Sequence, residues 1–296
     1  MKKVGFVGLG DMGSGMSKNL LKNGFSVTGY DLSENRLVEL EGAGGARAAT
    51  CRDLASTCDT IFVMVLNGDQ VKQVILGDDG LLAGADSGTT IIVSATIKPS
   101  EITELVEPIG AKGVGFLDTP VSGGKPGAEN GELTIMAAGK KDVLEDNRAV
   151  LEAVSKVIFH VGEEIGQGQT VKASLQAMIG TVFAGIFESM VLGAKAGVDG
   201  KILHEVFSAS GINCGLYQNC SKLILDRKFK DTGSQIATMY KDLGISVDMA
   251  RDNGVPLFAT AAAFQLFQSG ISKFPEEDNW TCVKVLEEIA GTEVKW

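Results

Sequence analysis

A chain of 296 residues with 44% hydrophobic and 22% charged side chains has the make-up of a globular protein, and it is longer than one mononucleotide-binding half, so two domains are expected. The formal net charge of −10 argues against nucleic-acid and anionic-membrane partners, which demand basic surfaces. No run approaches the roughly 20 uninterrupted apolar residues of a membrane span, and the N-terminus passes straight into a strand without a signal-peptide core, so a cytoplasmic protein with no membrane partner is expected.

Residues 4–7 are an apolar run that breaks into Gly8-Leu9-Gly10-Asp11-Met12-Gly13. A helix is predicted over 12–23, with Met12, Met16, Leu20 and Leu21 on one side, then Gly24 as a stop and a second strand over 25–30. A G-x-G-x-x-G between strand and helix lets backbone N–H groups approach a pyrophosphate, because glycine has no Cβ to block it. Gly8, Gly10, Asp11, Met12 and Gly13 are therefore the expected cofactor contacts. Asp31 closes the second strand, where a carboxylate accepts from an adenosine ribose and repels a 2′-phosphate, so NAD is preferred over NADP. Arg36, close by, softens that discrimination. A strand-end turn is the plain alternative for Asp31, and its spacing from the glycines weakens it.

Alternation continues with a helix over 34–40, a shorter one near Asp53, and strands over 60–65 and 90–94. A helix over 99–112, strands over 115–117 and 133–137, a helix over 142–153 and a strand over 156–160 follow. Strands separated by helices specify a mostly parallel sheet covered on both faces. From 167 to about 196 Ala, Met, Leu, Ile and Phe dominate nearly all round, which predicts a helix roughly 45 Å long, buried between partners as a hinge post between domains. Beyond it everything reads helical, with 201–208, 215–226, 236–253 and 256–269 as the main elements. The expected fold is α/β: an N-terminal Rossmann-type doubly wound sheet (1–163), a long interdomain helix, and an all-α C-terminal domain, the last two spanning 164–296.

Cys51, Cys58, Cys214, Cys220 and Cys282 lack C-x-x-C spacing and read as packing thiols, and His160 and His204 read as structural, so no metal site is expected. Four clusters remain as candidate chemistry. Ser94-Ala95-Thr96-Ile97-Lys98-Pro99 puts hydroxyls at the carboxyl edge of the sheet, where ligands collect, or is an ordinary capping turn. Asp118-Thr119-Pro120-Val121-Ser122-Gly123-Gly124 offers a hydroxyl and exposed amides suited to a carboxylate, or is merely a loop. Lys172, with Gln176 four residues on, is either a snorkelling helix residue or a buried amine with a purpose. Lys241-Asp242-Leu243-Gly244 poses the same question later in the chain.

In order and spacing these clusters resemble the β-hydroxyacid dehydrogenases, the 3-hydroxyisobutyrate dehydrogenase-like group, over essentially the whole chain. GLGDMG at Gly8 to Gly13, Thr96-Ile97-Lys98-Pro99, DTPVSGG at Asp118 to Gly124, Gly131-Glu132-Leu133-Thr134-Ile135-Met136, Lys172 and KDLG at Lys241 to Gly244 carry the resemblance. It implies a catalytic Lys172, a substrate carboxylate held by Ser122, Gly123 and Gly124, substrate orientation by Gln176, and Thr96 and Lys241 bordering the nicotinamide end. Asn67, in the loop after the third strand, joins the cofactor contacts, and Asp242 supports the region structurally. The group's K-x-x-N-N stands here as Lys172-Ala173-Ser174-Leu175-Gln176, its S-T pair as Ala95-Thr96, and its M-L-P loop as Met64-Val65-Leu66-Asn67. Gln176 and the S-A-T-I run are more similar to the L-threonate dehydrogenase branch.

The implied activity is reversible, NAD-dependent oxidation of a small 3-hydroxy acid with Lys172 as acid/base, in a homodimer or homotetramer whose C-terminal half is 6-phosphogluconate dehydrogenase-like. A lysine at its ordinary pKa of about 10.4 is a poor proton acceptor at neutral pH, so the role requires burial and neighbouring positive charge. Two other readings stand beside it: a semialdehyde or glyoxylate reductase of the same group, and a non-catalytic NAD-binding sensor.

Overall fold

The computed structural model describes residues 2–296. The chain divides into two compact units, the first ending at Lys172 and the second spanning Ala173–Trp296. The division falls inside the long helix.

In the first unit β1 (Lys3–Val7), β2 (Ser26–Tyr30), β3 (Ala46–Arg47), β4 (Thr60–Val63), β5 (Thr90–Val93) and β6 (Gly115–Asp118) form a parallel sheet in the order 3-2-1-4-5-6. Beyond β6 lie β8 (Leu133–Ala138), paired antiparallel with β6 and β7 (Val121–Ser122), and β9 (Ser155–Gly162), parallel to β8. Side chains alternate across the sheet. Val4, Phe6, Phe62 and Ile92 enter the core on one face, and Val7, Ile61, Val63, Ile91 and Val93 enter that on the other. The strand order reverses between β1 and β4, so a crevice opens beyond their carboxyl ends.

Helices α1 (Asp11–Lys22), α2 (Glu34–Gly42), α3 (Cys51–Ala55), α4 (Gly68–Leu76) and α5 (Leu81–Gly84) fill the early connections. The single helix expected over 99–112 is two, α6 (Pro99–Thr103) and α7 (Val106–Ala111). Pro108 has no N–H to return to residue 104, so an unbroken helix would leave that carbonyl unpaired. The helix expected over 142–153 likewise splits into α9 (Lys141–Asp146) and α10 (Arg148–Glu152). At the break, the buried Asn147 side chain takes the Val143 carbonyl (2.8 Å) and accepts from Thr60 Oγ1 (2.6 Å), competing with the helix ladder. The SGG segment, expected as a loop, leads into α8 (Gly124–Asn130). Packing overrides its glycines and proline: Asn19 of α1 donates to the Ala128 and Glu129 carbonyls at 2.7 and 3.1 Å, and Gly15 lies against the Ala128 backbone.

Helix α11 (Gln167–Lys195) crosses from the first unit into the second. By length and composition it is apolar enough to cross a bilayer, but Phe183, Phe187, Met190 and Val191 instead build the core of the second unit. It is not buried all round as expected, since Met178 and Leu192 stand 68% and 73% exposed. Around it are α12 (Gly200–Ser208), α13 (Gly215–Leu225), α14 (Ile236–Asp252), α15 (Phe258–Lys273) and α16 (Cys282–Ala290). Phe183 stacks on Phe187 and meets the Trp280 ring edge-on, which fixes how these helices pack.

Candidate active site

The fingerprint closes on itself through its glycines. Gly8 has φ +90°, and a Cβ there would lie 2.4 Å from the Met64 carbonyl oxygen, so the β1 turn sits directly against the loop after β4. A Cβ on Gly13 would lie 1.9 Å from the Gly8 carbonyl oxygen and 2.9 Å from the Phe6 ring. At Gly10 the nearest atoms are those of the Arg36 guanidinium, 3.9 Å away, and no side chain caps α1. The first amides of α1 thus face an open position with the positive end of the helix dipole behind them, which fits a dinucleotide pyrophosphate.

Asp31 stands where expected. Its carboxylate accepts from the Leu9 and Ser33 backbone amides at 2.7 and 2.8 Å and lies 3.5 Å from the Arg36 guanidinium. A hollow of about 510 Å³ beside Gly10 is lined in part by Lys18, Lys22, Arg36 and Lys125. Asn67 is the N-cap of α4, its Oδ1 accepting from the Gln70 amide at 2.9 Å, which is a structural employment for that side chain.

The loops after β5 and β6 converge through buried hydroxyls, with Ser94 Oγ 2.9 Å from Thr119 Oγ1. Thr96 is half-buried, as is Ser122, while Gly123 and Gly124 are exposed. Gly123 has φ +135° and its carbonyl accepts the Gly127 amide at 3.1 Å, so the SGG amides lie at the start of α8.

The start of α11 is bound to the same sheet edge. Asp118, fully buried at the end of β6, accepts from the Gly166 and Gln169 amides (3.0 and 3.1 Å) and from Gln169 Nε2 (2.9 Å). Gln169 Nε2 also donates to the Ala95 carbonyl (3.0 Å), and its Oε1 accepts from the Ile97 amide (3.1 Å). A Cβ on Gly168 would lie 2.8 Å from the Asp118 carbonyl oxygen, so only glycine lets the helix come this close. Lys172, one turn beyond Gln169, is 6% exposed. The sequence reading missed Gln169; the cue available was a polar side chain straight after two glycines in an otherwise apolar stretch.

Burial pushes the Asp118 carboxyl up to about 6, against the opposing pull of hydrogen bonds from Gln169, Gly166 and Gly168. The ordinary value is 3.8, so the folded chain holds this proton more tightly than the unfolded one, and the group's contribution to stability falls as pH rises from about 4 to about 6. The difference amounts to about 3 kcal/mol. Melting wild type and Asp118→Asn side by side should show the wild type losing ground across that window; a constant gap in Tm would contradict this.

In the second unit Gln176 and Asp242 are buried and joined, Gln176 Nε2 donating to Asp242 Oδ2 at 2.6 Å. The Lys241 ammonium lies 2.7 Å from Asp242 Oδ1. That oxygen makes no well-angled hydrogen bond, so the contact is ionic rather than directional. His160 and His204 are in structural positions, bonded to the Gly139 carbonyl and to Ser221 Oγ, both at 2.9 Å. All five cysteines are free, and among the described residues no His, Cys, Asp or Glu group has the make-up of a metal site.

Residues 3–162 match the family model for the NAD binding domain of 6-phosphogluconate dehydrogenase, and residues 166–286 that for the NAD-binding region of NADP-dependent 3-hydroxyisobutyrate dehydrogenase. A crystal structure of 3-hydroxyisobutyrate dehydrogenase from Salmonella typhimurium superposes with a TM-score of 0.88 at 31% identity, covering 96% of this chain and all of that one. The chain belongs to the β-hydroxyacid dehydrogenase family. Among its relatives, 2-(hydroxymethyl)glutarate dehydrogenase of Eubacterium barkeri is 33% identical over 99% of this chain and 97% of its own length. L-threonate dehydrogenase of Escherichia coli K12 is also 33% identical, over 97% of this chain and 95% of its own. This dehydrogenase is therefore a nicotinamide-dependent oxidoreductase acting on a CH–OH group, as its motifs implied.

Proposed function

We propose that the enzyme reversibly oxidises a small 3-hydroxy acid with NAD, Lys172 carrying the proton. The observation that carries this reading is the burial of Lys172 on a helix whose first turn is hydrogen-bonded to the end of β6 and to the loop after β5. When bound, the nicotinamide supplies the hydride acceptor for oxidation and the donor for reduction. Lys172 Nζ takes the hydroxyl proton as the C–H bond breaks and returns it to the carbonyl oxygen in reverse. Ser122 Oγ and the Gly123 and Gly124 amides hold the substrate carboxylate. Gln176 orients the substrate and Lys241 borders the nicotinamide end, roles assigned by resemblance to the family motifs. A short substrate bearing both hydroxyl and carboxylate suits the relatives, one of which, 3-hydroxyisobutyrate dehydrogenase from Mycobacterium tuberculosis, is described with L-serine (TM-score 0.88, 27% identity).

NAD is the preferred cofactor in this reading, because Asp31 meets the ribose and repels a 2′-phosphate, while Arg36 beside it offsets part of that repulsion. L-Threonate, 2-(hydroxymethyl)glutarate, 3-hydroxyisobutyrate and glycerate assayed with both cofactors should give turnover on at least one acid, with higher kcat/KM for NAD. Arg36→Ala should weaken NADP use by about tenfold more than NAD use, since a charged hydrogen bond to phosphate is worth that much. Tight NADH binding without turnover of any acid would instead favour the non-catalytic sensor.

A further inference from the structure

We propose that Gln169 and Asp118 form a positioning clamp that ties the proton-carrying turn of α11 to the strand-end residue Thr96, so that both reach the reacting atoms in register. The inference rests on the reading of Lys172 as the proton carrier. Gln169 is 1% exposed, and its side chain makes three hydrogen bonds to two distant segments. Its two N–H donors go to the Ala95 carbonyl and to Asp118 Oδ1, and its Oε1 receives the Ile97 amide. Ala95 and Ile97 flank Thr96, so the amide grips that residue by the backbone on both sides. Lys172 follows three residues later, on the same side of the helix to within a fraction of a turn.

Asp118 completes the device. Its carboxylate receives only N–H donors, from the backbone at the start of α11 and from the Gln169 side chain. It therefore caps the helix from another strand, and it fixes which way the Gln169 amide points. A reversed amide would set NH₂ against the Ile97 N–H and oxygen against both the Ala95 carbonyl and the Asp118 carboxylate, losing three bonds together. Gly168 allows this approach, since any side chain there would strike the Met136 and Asp118 carbonyl oxygens, 2.7 and 2.8 Å from an added Cβ. An interior amide satisfied on every atom specifies one arrangement, and a proton carrier displaced by about 1 Å loses about a hundredfold in rate.

The test uses two variants of different severity. Gln169→Met keeps the volume and removes all three bonds. Asp118→Asn keeps an oxygen for the helix amides and sets NH₂ against NH₂ at Gln169 alone. For each, kcat, substrate KM and NADH Kd are measured with the best acid of the panel, and acylation of Lys172 by an amine-reactive ester is followed by peptide mass spectrometry in the cofactor-free protein. The clamp predicts kcat lower by about a hundredfold for Gln169→Met, NADH Kd within about threefold, and Lys172 acylated at least tenfold faster while surface lysines react as before. Unchanged kcat and unchanged Lys172 acylation in Gln169→Met overturn it, as does an equal rise in acylation of the half-buried Lys241 and Lys284, which marks general loosening. Lys172→Ala separates the two claims: full turnover in that variant sinks the proton-carrier reading, whereas the acylation result judges the clamp by itself.

Discussion

Gly13→Ala is expected to lower NADH affinity by about a hundredfold or more, close to 3 kcal/mol. The added Cβ falls 1.9 Å from the Gly8 carbonyl oxygen, and both partners are backbone, so no rotamer change can relieve the contact. The turn must open, and the amides of α1 lose the common focus that receives the pyrophosphate. The Phe6 ring, 2.9 Å from the same Cβ and stacked on Phe62, is displaced as well, which lowers stability by about 1–3 kcal/mol. Gly42→Ala is the control, because a Cβ there meets nothing within 4 Å and the residue ends α2. It should bind NADH normally and melt no lower than wild type. Fluorescence titration of NADH with thermal melts of both variants decides the matter, and normal NADH affinity in Gly13→Ala would remove the fingerprint from the cofactor site.

Lys172→Ala is expected to bind NADH within about threefold of wild type and to lose about a thousandfold in kcat, the middle of the range for removing a positioned acid or base. The two effects separate because the glycine turn and Asp31 lie on β1, β2 and α1, whereas Lys172 lies on α11. Lys172→Met, nearly the same shape, should keep the wild-type Tm and still lose turnover, which separates proton transfer from packing. Lys172→Arg should fare no better, since a guanidinium does not release its proton at working pH.

The βαβ start, the long helix and the ordered motifs were legible because each is written in local spacing: glycines at fixed offsets, an apolar period, small residues at strand ends. What stayed hidden depends on partners far along the chain. Asn147 breaks a helix because it meets Thr60 and Thr90, and α8 forms among glycines because Asn19 holds its carbonyls. Gln169 is the instructive case at the site. Its partners Ala95, Ile97 and Asp118 are separated from it by 74, 72 and 51 residues, so no window of sequence contains the clamp. Asn67 illustrates the reverse, a residue singled out for its loop whose side chain is occupied in capping α4.

Chemical rescue of Lys172→Ala by small primary amines measures the central claim most directly. If the missing function is a proton carrier at this position, methylamine and ethylamine restore oxidation of the hydroxy acid saturably, bulkier amines fail, and among amines of equal size the rate follows basicity. A variant that turns over at the wild-type rate unaided, or one that no amine revives although it binds NADH and melts normally, would contradict it.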